Sequence, residues 1–274
     1  MVEFDAYTAT MRGVDVGDVI SLLFESRKAG WDMRQGRGHH GFESRVGLRD
    51  ETGSEAAAVA WGGEHGDLVM VEVKGLPSRE VVPAIRKRYP EHAVTRVDSA
   101  YDLDKPGAWE DLLREVVDVK DQFRLWGEKR GDWDRPEDGR TMYLGAPTSV
   151  VRTRLYEKGK QKEYRGLGHP DWVRLEVQIR PKKEAREVYN GLEPLEVWGA
   201  SPFTRELAAR VLKRELNPFP AGTVRRRTSD EAALRHMCYQ YAPHLLRLAA
   251  DVGSWDCVGL TLRDMIARVR RSEE

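Results

Sequence analysis

Cysteine is almost missing from this sequence, with Cys238 and Cys257 the two examples in 274 residues. No C-x-x-C pair or zinc-type histidine spacing accompanies them, which argues against a zinc finger or a disulfide scaffold. Two reduced, buried thiols are the simplest expectation. No run of about 18 apolar residues occurs, so no membrane-spanning helix is expected. The N-terminal MVEFDAYTATMRG lacks the basic and apolar regions of a secretory signal, and a cytoplasmic protein is expected. A G-x-x-x-x-G-K-[ST] loop, a Rossmann glycine fingerprint and a zincin motif are also missing, which excludes an obvious nucleotide-driven motor. Net charge is absent too: 45 Lys and Arg balance 45 Asp and Glu. A general nucleic-acid coat protein would be more basic.

Apolar residues make up 40% of the chain and charged residues 33%. The length can bury a sizeable core, as one large domain or two modest ones. The charge is unevenly spread. Residues 98–139 hold 7 Lys/Arg against 13 Asp/Glu, whereas residues 150–186 hold 11 against 5. A basic stripe in a neutral protein can bind a phosphate backbone locally, although a solvated charged surface has the same composition.

Hydrophobic periodicity predicts strands at FDAYTATM, FESRVGL, AAAVAWGG, DLVMVEVKG and HAVTRVDSAYDLD, with helices over DVGDVISLLFESRKAG and SREVVPAIRKRYP. PGAWEDLLREVVDVKDQFRLW reads as a third helix. Three more strands follow in TMYLGAP, SVVRTRLYEKG and DWVRLEVQIR. The stretches MRQGRGHHG and GEKRGDWDRPEDGR read as loops from their glycines and charges. His39 and His40 in the first would chelate one ion poorly, because adjacent side chains on an extended chain diverge. The order implies an α+β fold with a central, largely antiparallel sheet, helices on one face and a helical C-terminal tail. The expected division is a body over 1–190 and a helical region over 191–274, with 217–227 the best linker. Thr228 and Glu231 have capping-box spacing, and Pro243 should break or kink the last helix.

Three strands carry polar side chains at alternate positions, so each presents one charged face. On the first, Arg96, Asp98 and Asp102 share a face, where repelling carboxylates call for a salt bridge or a hard cation. On the third, Arg174, Glu176, Gln178 and Arg180 lie opposite Val173, Leu175, Val177 and Ile179. On the second, Arg152, Arg154, Tyr156 and Lys158 share a face, with Lys160 just beyond. Positive neighbours favour phenolate, and a tyrosine that attacks a phosphodiester divides one hard displacement into two.

These stretches, in this order, resemble the replication initiation factor (Rep_trans) family of rolling-circle plasmids, filamentous phages and integrative elements. The resemblance rests on four patterns. They are R-hydrophobic-D-x-x-x-D from Arg96 to Asp102, T-hydrophobic-Y-hydrophobic-G-x-x-x-S from Thr141 to Ser149, R-hydrophobic-Y-E-K from Arg154 to Lys158, and W-hydrophobic-R-hydrophobic-E from Trp172 to Glu176. MCYQYAPHLLRLAADVG is similar to the family's C-terminal helix. The resemblance implies a distant variant of the rolling-circle initiator nuclease fold and a strand-specific DNA nickase. In that scheme Tyr156 is the nucleophile and forms a 5′-phosphotyrosyl intermediate. Asp98 and Glu176, with Asp102 as a weaker third, bind a divalent metal, Mg²⁺ or Mn²⁺. Arg174 and Lys158 support the transferring phosphate, and Arg96, Arg152, Arg154 and Lys160 contact DNA. Origin DNA, an accessory helicase and a possible homodimer are the implied partners, with no membrane. Tyr164 is a competing nucleophile, and Pro147 departs from the family's usual charged residue. A conjugative relaxase, or a regulator on the same fold that binds DNA without cutting, are the alternatives.

Overall fold

A computed structural model describes residues 1–222 and 229–272. The expected linker lies partly, and the Thr228 cap wholly, outside the described residues. Two compact units emerge, Met1–Thr223 and Val224–Glu274.

The first unit is built on ten strands: β1 Val2–Arg12, β2 Asp32–Arg37, β3 Ser44–Arg49, β4 Glu55–Trp61, β5 Leu68–Lys74, β6 Ala93–Asp104, β7 Gly127–Arg130, β8 Thr141–Leu144, β9 Val151–Glu157 and β10 Trp172–Ile179. They form one sheet in the order β2-β3-β4-β5-β1-β6-β10-β9-β8-β7, and every pairing is antiparallel. The α+β class and the antiparallel sheet expected from the periodicity are therefore present. β2 and β7 fall in the two stretches read as loops. Both are edge strands, and β2 is exposed along its whole length. Such a strand has no buried face and so no alternation to detect, and its charges discourage pairing with another chain.

Three helices cover the apolar face: α1 Val16–Glu25, α2 Ser78–Arg88 and α3 Ala108–Gln122. Asp15 caps α1 by accepting from the Asp18 N–H at 3.1 Å. Val19 and Leu23 of α1, Val81, Val82 and Ile85 of α2, and Leu112, Val116 and Val119 of α3 join Tyr7, Val97, Leu155, Leu175 and Ile179 of the sheet in one core. Each helix buries an i, i+3, i+4 stripe, and each strand alternate residues. The opposite face carries a small apolar cluster of Phe42, Ala60 and Met70 over β4 and β5, and polar side chains over β6, β10 and β9.

Residues 191–222 lie in the first unit. A short helix α4, Ala185–Val188, is followed by a turn at Glu196–Ala200, helix α5 Pro202–Leu207 and a π-type turn Ala208–Leu212. Trp198 is fully buried, and its indole N–H donates to Ser99 Oγ of β6 at 2.9 Å. That anchor draws the segment onto the sheet, although its own periodicity reads as independent helix. The second unit is a helical hairpin of α6 Ser229–Val252 and α7 Trp255–Ser272, turned at Gly253 with φ +82°, a conformation that favours glycine. α6 runs unbroken through Pro243; a proline removes one hydrogen bond, and a helix this long keeps its neighbours. Cys238 and Cys257 lie on these two helices, free but exposed rather than buried. Among the described residues no helix is long and apolar enough to cross a membrane.

Trp198→Ala is expected to cost about 3–5 kcal/mol in urea denaturation, since it empties a large buried volume and removes a donor from Ser99, which keeps its own bond to the Pro194 carbonyl. A loss below about 1 kcal/mol would mean that the 191–222 segment is not part of the cooperative core.

Candidate functional site

The polar face is organised by strand register. β10 lies between β6 and β9, with Arg174 opposite Asp102 on one side and Tyr156 on the other. Glu176 faces Ala100 and Arg154, and Gln178 faces Asp98 and Arg152. Glu176 is thus the diagonal neighbour of both Asp98 and Tyr156, about 7–8 Å away through the backbone and within side-chain reach. β8 continues the face, with Thr141 opposite Tyr156 and Tyr143 opposite Arg154. Two glycines fix these positions. Gly145 ends β8 at φ +87°, where a Cβ would lie 2.8 Å from the Val151 carbonyl oxygen, and a Cβ on Gly159 would collide with the His169 carbonyl. Pro147 suits its turn: it is the second residue of Ala146–Ser149, closed by the Ser149 N–H to the Ala146 carbonyl at 2.9 Å.

The charges are buried and paired. Asp98 is 1% exposed and Glu176 2%. Arg96 donates through Nε to both Asp98 oxygens at 3.0 and 3.1 Å, and the Gln178 amide adds a bond at 3.2 Å. Arg154 donates to Glu176 at 2.7 Å and lies over the Tyr156 ring, 4.3 Å from its centroid. Arg174 donates through Nε to Asp102 at 2.7 Å and also bonds Asp5. An unpaired charge at the depth of Asp98 or Glu176 would be strongly destabilising, so their pairings are conditions of folding.

Asp5 has no counterpart in the sequence reading. Alternation puts it on the core side with Tyr7 and Ala9. The β1–β6 register, however, shifts between Phe4 and Ala6, and this bulge turns Asp5 toward Arg174. Tyr143 and Glu128 were missed as well; Glu128 bonds Arg152 at 3.1 Å from the edge strand β7.

Not every expected residue joins the cluster. β9 ends at Glu157, so Lys158 sits in a 3₁₀ turn, not on the strand. Its ammonium is buried and lies 4.4 Å from the Trp172 ring centroid and 5.0 Å from that of Tyr164. These residues line a 210 Å³ cleft with Asp5, Asp102 and Arg174. Lys160 bonds Glu157 at 2.8 Å, beside Arg140 on the same carboxylate. Asp102 lies four residues from Asp98, about 13 Å along the strand, and is bound to Arg174. Among the described residues no group of three or more His, Cys, Asp or Glu is arranged to hold a metal ion. Asp98 and Glu176 are nonetheless two buried hard-oxygen donors at diagonal positions of β6 and β10, chemistry that suits Mg²⁺ or Mn²⁺ completed by water.

The electrostatics reverse one expectation. Tyr156 is 4% exposed, and its pKa is raised, first by burial and then by the negative charge of Glu176; Arg154 and Arg174 offset this in part. Glu176 is raised by its own burial and by the charge of Asp98. Lys158 is pushed down to about 8 by burial and by Arg174, with Asp102 and Asp5 opposing.

Similarity to known proteins follows the same features. The structure is similar to that of a rolling circle replication initiator protein from Geobacillus stearothermophilus, with a TM-score of 0.51 and 20% identity over 73% of this chain and 83% of that one. At that identity the likeness establishes the fold: the class is that of rolling-circle initiator sheets. A family model described as replication initiation factor matches residues 92–246, which include the four ordered patterns and more than half of the sequence. The chain belongs to the replication initiation factor family, and its role is in the initiation of replication. A search of curated proteins returned no match.

The lowered Lys158 pKa has a consequence for stability. Between about pH 8 and 10.5 the unfolded chain still carries this proton and the folded chain has lost it, so the lysine's contribution makes folding more favourable as pH rises. Urea denaturation at about pH 7.5 and 9.5 should show the wild type gaining about 2 kcal/mol relative to Lys158→Met. Identical pH responses would contradict the buried, depressed lysine.

Proposed function

We propose that the protein starts rolling-circle replication by nicking one DNA strand, with Tyr156 as the nucleophile. The observation that carries this reading is the register of β9 on β10, which sets Tyr156 opposite Arg174, under Arg154 and diagonal to Glu176. A tyrosine, two guanidiniums and a carboxylate pair on one rigid face are the parts that phosphoryl transfer needs. Tyr156 Oη forms a bond to phosphorus as its proton passes to water. The bond from phosphorus to the 3′ oxygen breaks, and that oxygen takes up a proton. The products are a 5′-phosphotyrosyl strand and a free 3′-OH that can prime synthesis. Arg174 and Lys158 supply positive charge to the transferring group, and Lys158, poised near neutrality, is suited to giving the leaving oxygen its proton. Asp98 and Glu176 would hold the divalent cation, which supplies further charge stabilisation to the phosphoryl oxygens.

The raised pKa of Tyr156 defines what must change when DNA arrives. Burial and Glu176 disfavour the phenolate, so bound cation or protonated Glu176 would lower the cost of ionisation. Origin DNA is the substrate in this reading, a helicase would open the duplex, and a relaxase would use the same chemistry. The buried tyrosine is also the observation that favours a second reading, a regulator on this fold that binds DNA without cutting.

Incubation with supercoiled DNA carrying the element's own origin and Mg²⁺ should yield a covalent 5′-linked adduct. Tyr156→Phe should abolish it, by about 10³-fold or more, while Tyr164→Phe retains it. An adduct that survives in Tyr156→Phe would move the nucleophile elsewhere. Tight origin binding by the wild type with no adduct would favour the regulator.

A further inference from the structure

Beside Tyr156, on the side away from the Lys158 cleft, lies a second pocket of 160 Å³ lined by Arg96, Arg152, Arg154 and Arg180, with Tyr143, Thr153, Gln178 and the Arg154-paired Glu176 completing its wall. Four guanidiniums around so small a space repel one another, and the chain neutralises three of them. Arg96 is held by Asp98, Arg154 by Glu176 and Arg152 by Glu128. Arg180 bonds the Pro147 carbonyl at 3.0 Å and has no carboxylate partner among the described residues. Nε of Arg152 and Nε of Arg154 are buried donors without an acceptor. Buried N–H groups are seldom left so in a folded protein unless something else completes them. The Arg152 pKa is lowered, first by burial, with Arg130 and Arg180 adding to the effect. Arg152 and Arg130 also stack on the Tyr143 ring, at 4.0 and 5.2 Å from its centroid, which holds the guanidiniums in place around the opening.

A concave site with surplus positive charge, fixed planar donors and little apolar lining suits a compact anion that accepts several hydrogen bonds. It is smaller than the ~300–1,000 Å³ typical of small-molecule sites. Arg154 is two residues from Tyr156 on β9, a step of about 7 Å, comparable to the repeat of phosphates along an extended single strand. We propose that this pocket seats a backbone phosphate of single-stranded DNA adjacent to the phosphodiester presented to Tyr156, with Arg180 supplying the charge that the chain leaves unneutralised. The choice of DNA and of the adjacent phosphate rests on the nicking reading; the anion site itself rests on the arginines.

The test is the salt dependence of binding to a fluorescent (dT)₁₂ strand, measured in the Tyr156→Phe background so that no covalent product forms. Arg180→Gln should weaken binding roughly tenfold at low salt and reduce the slope of log K against log [NaCl] by about 0.7, the value for one lost single-strand phosphate contact. Arg180→Lys should restore most of the slope. Arg114→Gln, at an exposed position of α3, should leave it unchanged. An unchanged slope in Arg180→Gln, or an equal fall in Arg114→Gln, overturns the seat. Nicking by the wild type combined with an unchanged slope would reject the seat and keep the nuclease reading. A slope effect with no adduct at Tyr156 would do the reverse.

Discussion

The structure turns on one constraint: charge placed on a buried sheet face must be paired. Glu176 shows it most clearly. It sits on the central strand of the polar face, 2% exposed, with Asp98 diagonal on one side and Tyr156 on the other. A lone carboxylate at that depth would be protonated or would unfold the sheet. Arg154 offsets the charge from β9, and Arg96 does the same for Asp98 within β6. Because Arg154–Glu176 and Arg174–Asp102 each join neighbouring strands, these ion pairs and the register define each other. A slip of one residue would exchange the charged and apolar faces of β10 and leave neither satisfied.

That coupling fixes the side chains of the polar face. Arg174 is held between Asp102 and Asp5, so its position opposite Tyr156 does not depend on a flexible side chain. Around this fixed centre lie two recesses of different character. One, with Lys158, Trp172 and Tyr164, is partly aromatic. The other is crowded with arginine. Tyr156 lies between them on β9, covered by Arg154. Burial favours its neutral form, and added positive charge would favour its reactive one. On the proposed reading, Tyr156 would stay neutral until a cation brings positive charge beside it.

How much of this was legible in the chain follows from which features are local. Side-chain alternation depends on the residue and its two neighbours, so the faces of β6, β9 and β10 could be read directly, and so could the amphipathic helices. The basic stripe and the four ordered patterns were legible for the same reason, and the patterns led to the family. Edge strands β2 and β7 were not legible, because exposed strands have no burial to imprint a period. Asp5 was hidden by a bulge, a one-residue change of phase that exists only relative to β6. Lys158 was misplaced by one step, because the end of β9 is set by the close approach of Gly159 to His169.

The sequence by itself determined the α+β class, the polar faces and a short set of chemically capable residues. The tertiary structure alone decided which of them meet. It brought Asp98, Glu176, Arg154, Arg174 and Tyr156 together, drew in Asp5, Tyr143 and Glu128, and sent Lys160 to Glu157 and Asp102 to Arg174. It also reversed the ionisation tendency of Tyr156, since the cations beside it are visible in the sequence and the depth of its burial is not. The physical reason is that a residue's type fixes what it can donate or accept, while desolvation and the identity of its partner depend on strands distant in the chain, as for Arg174 and Asp102, 72 positions apart.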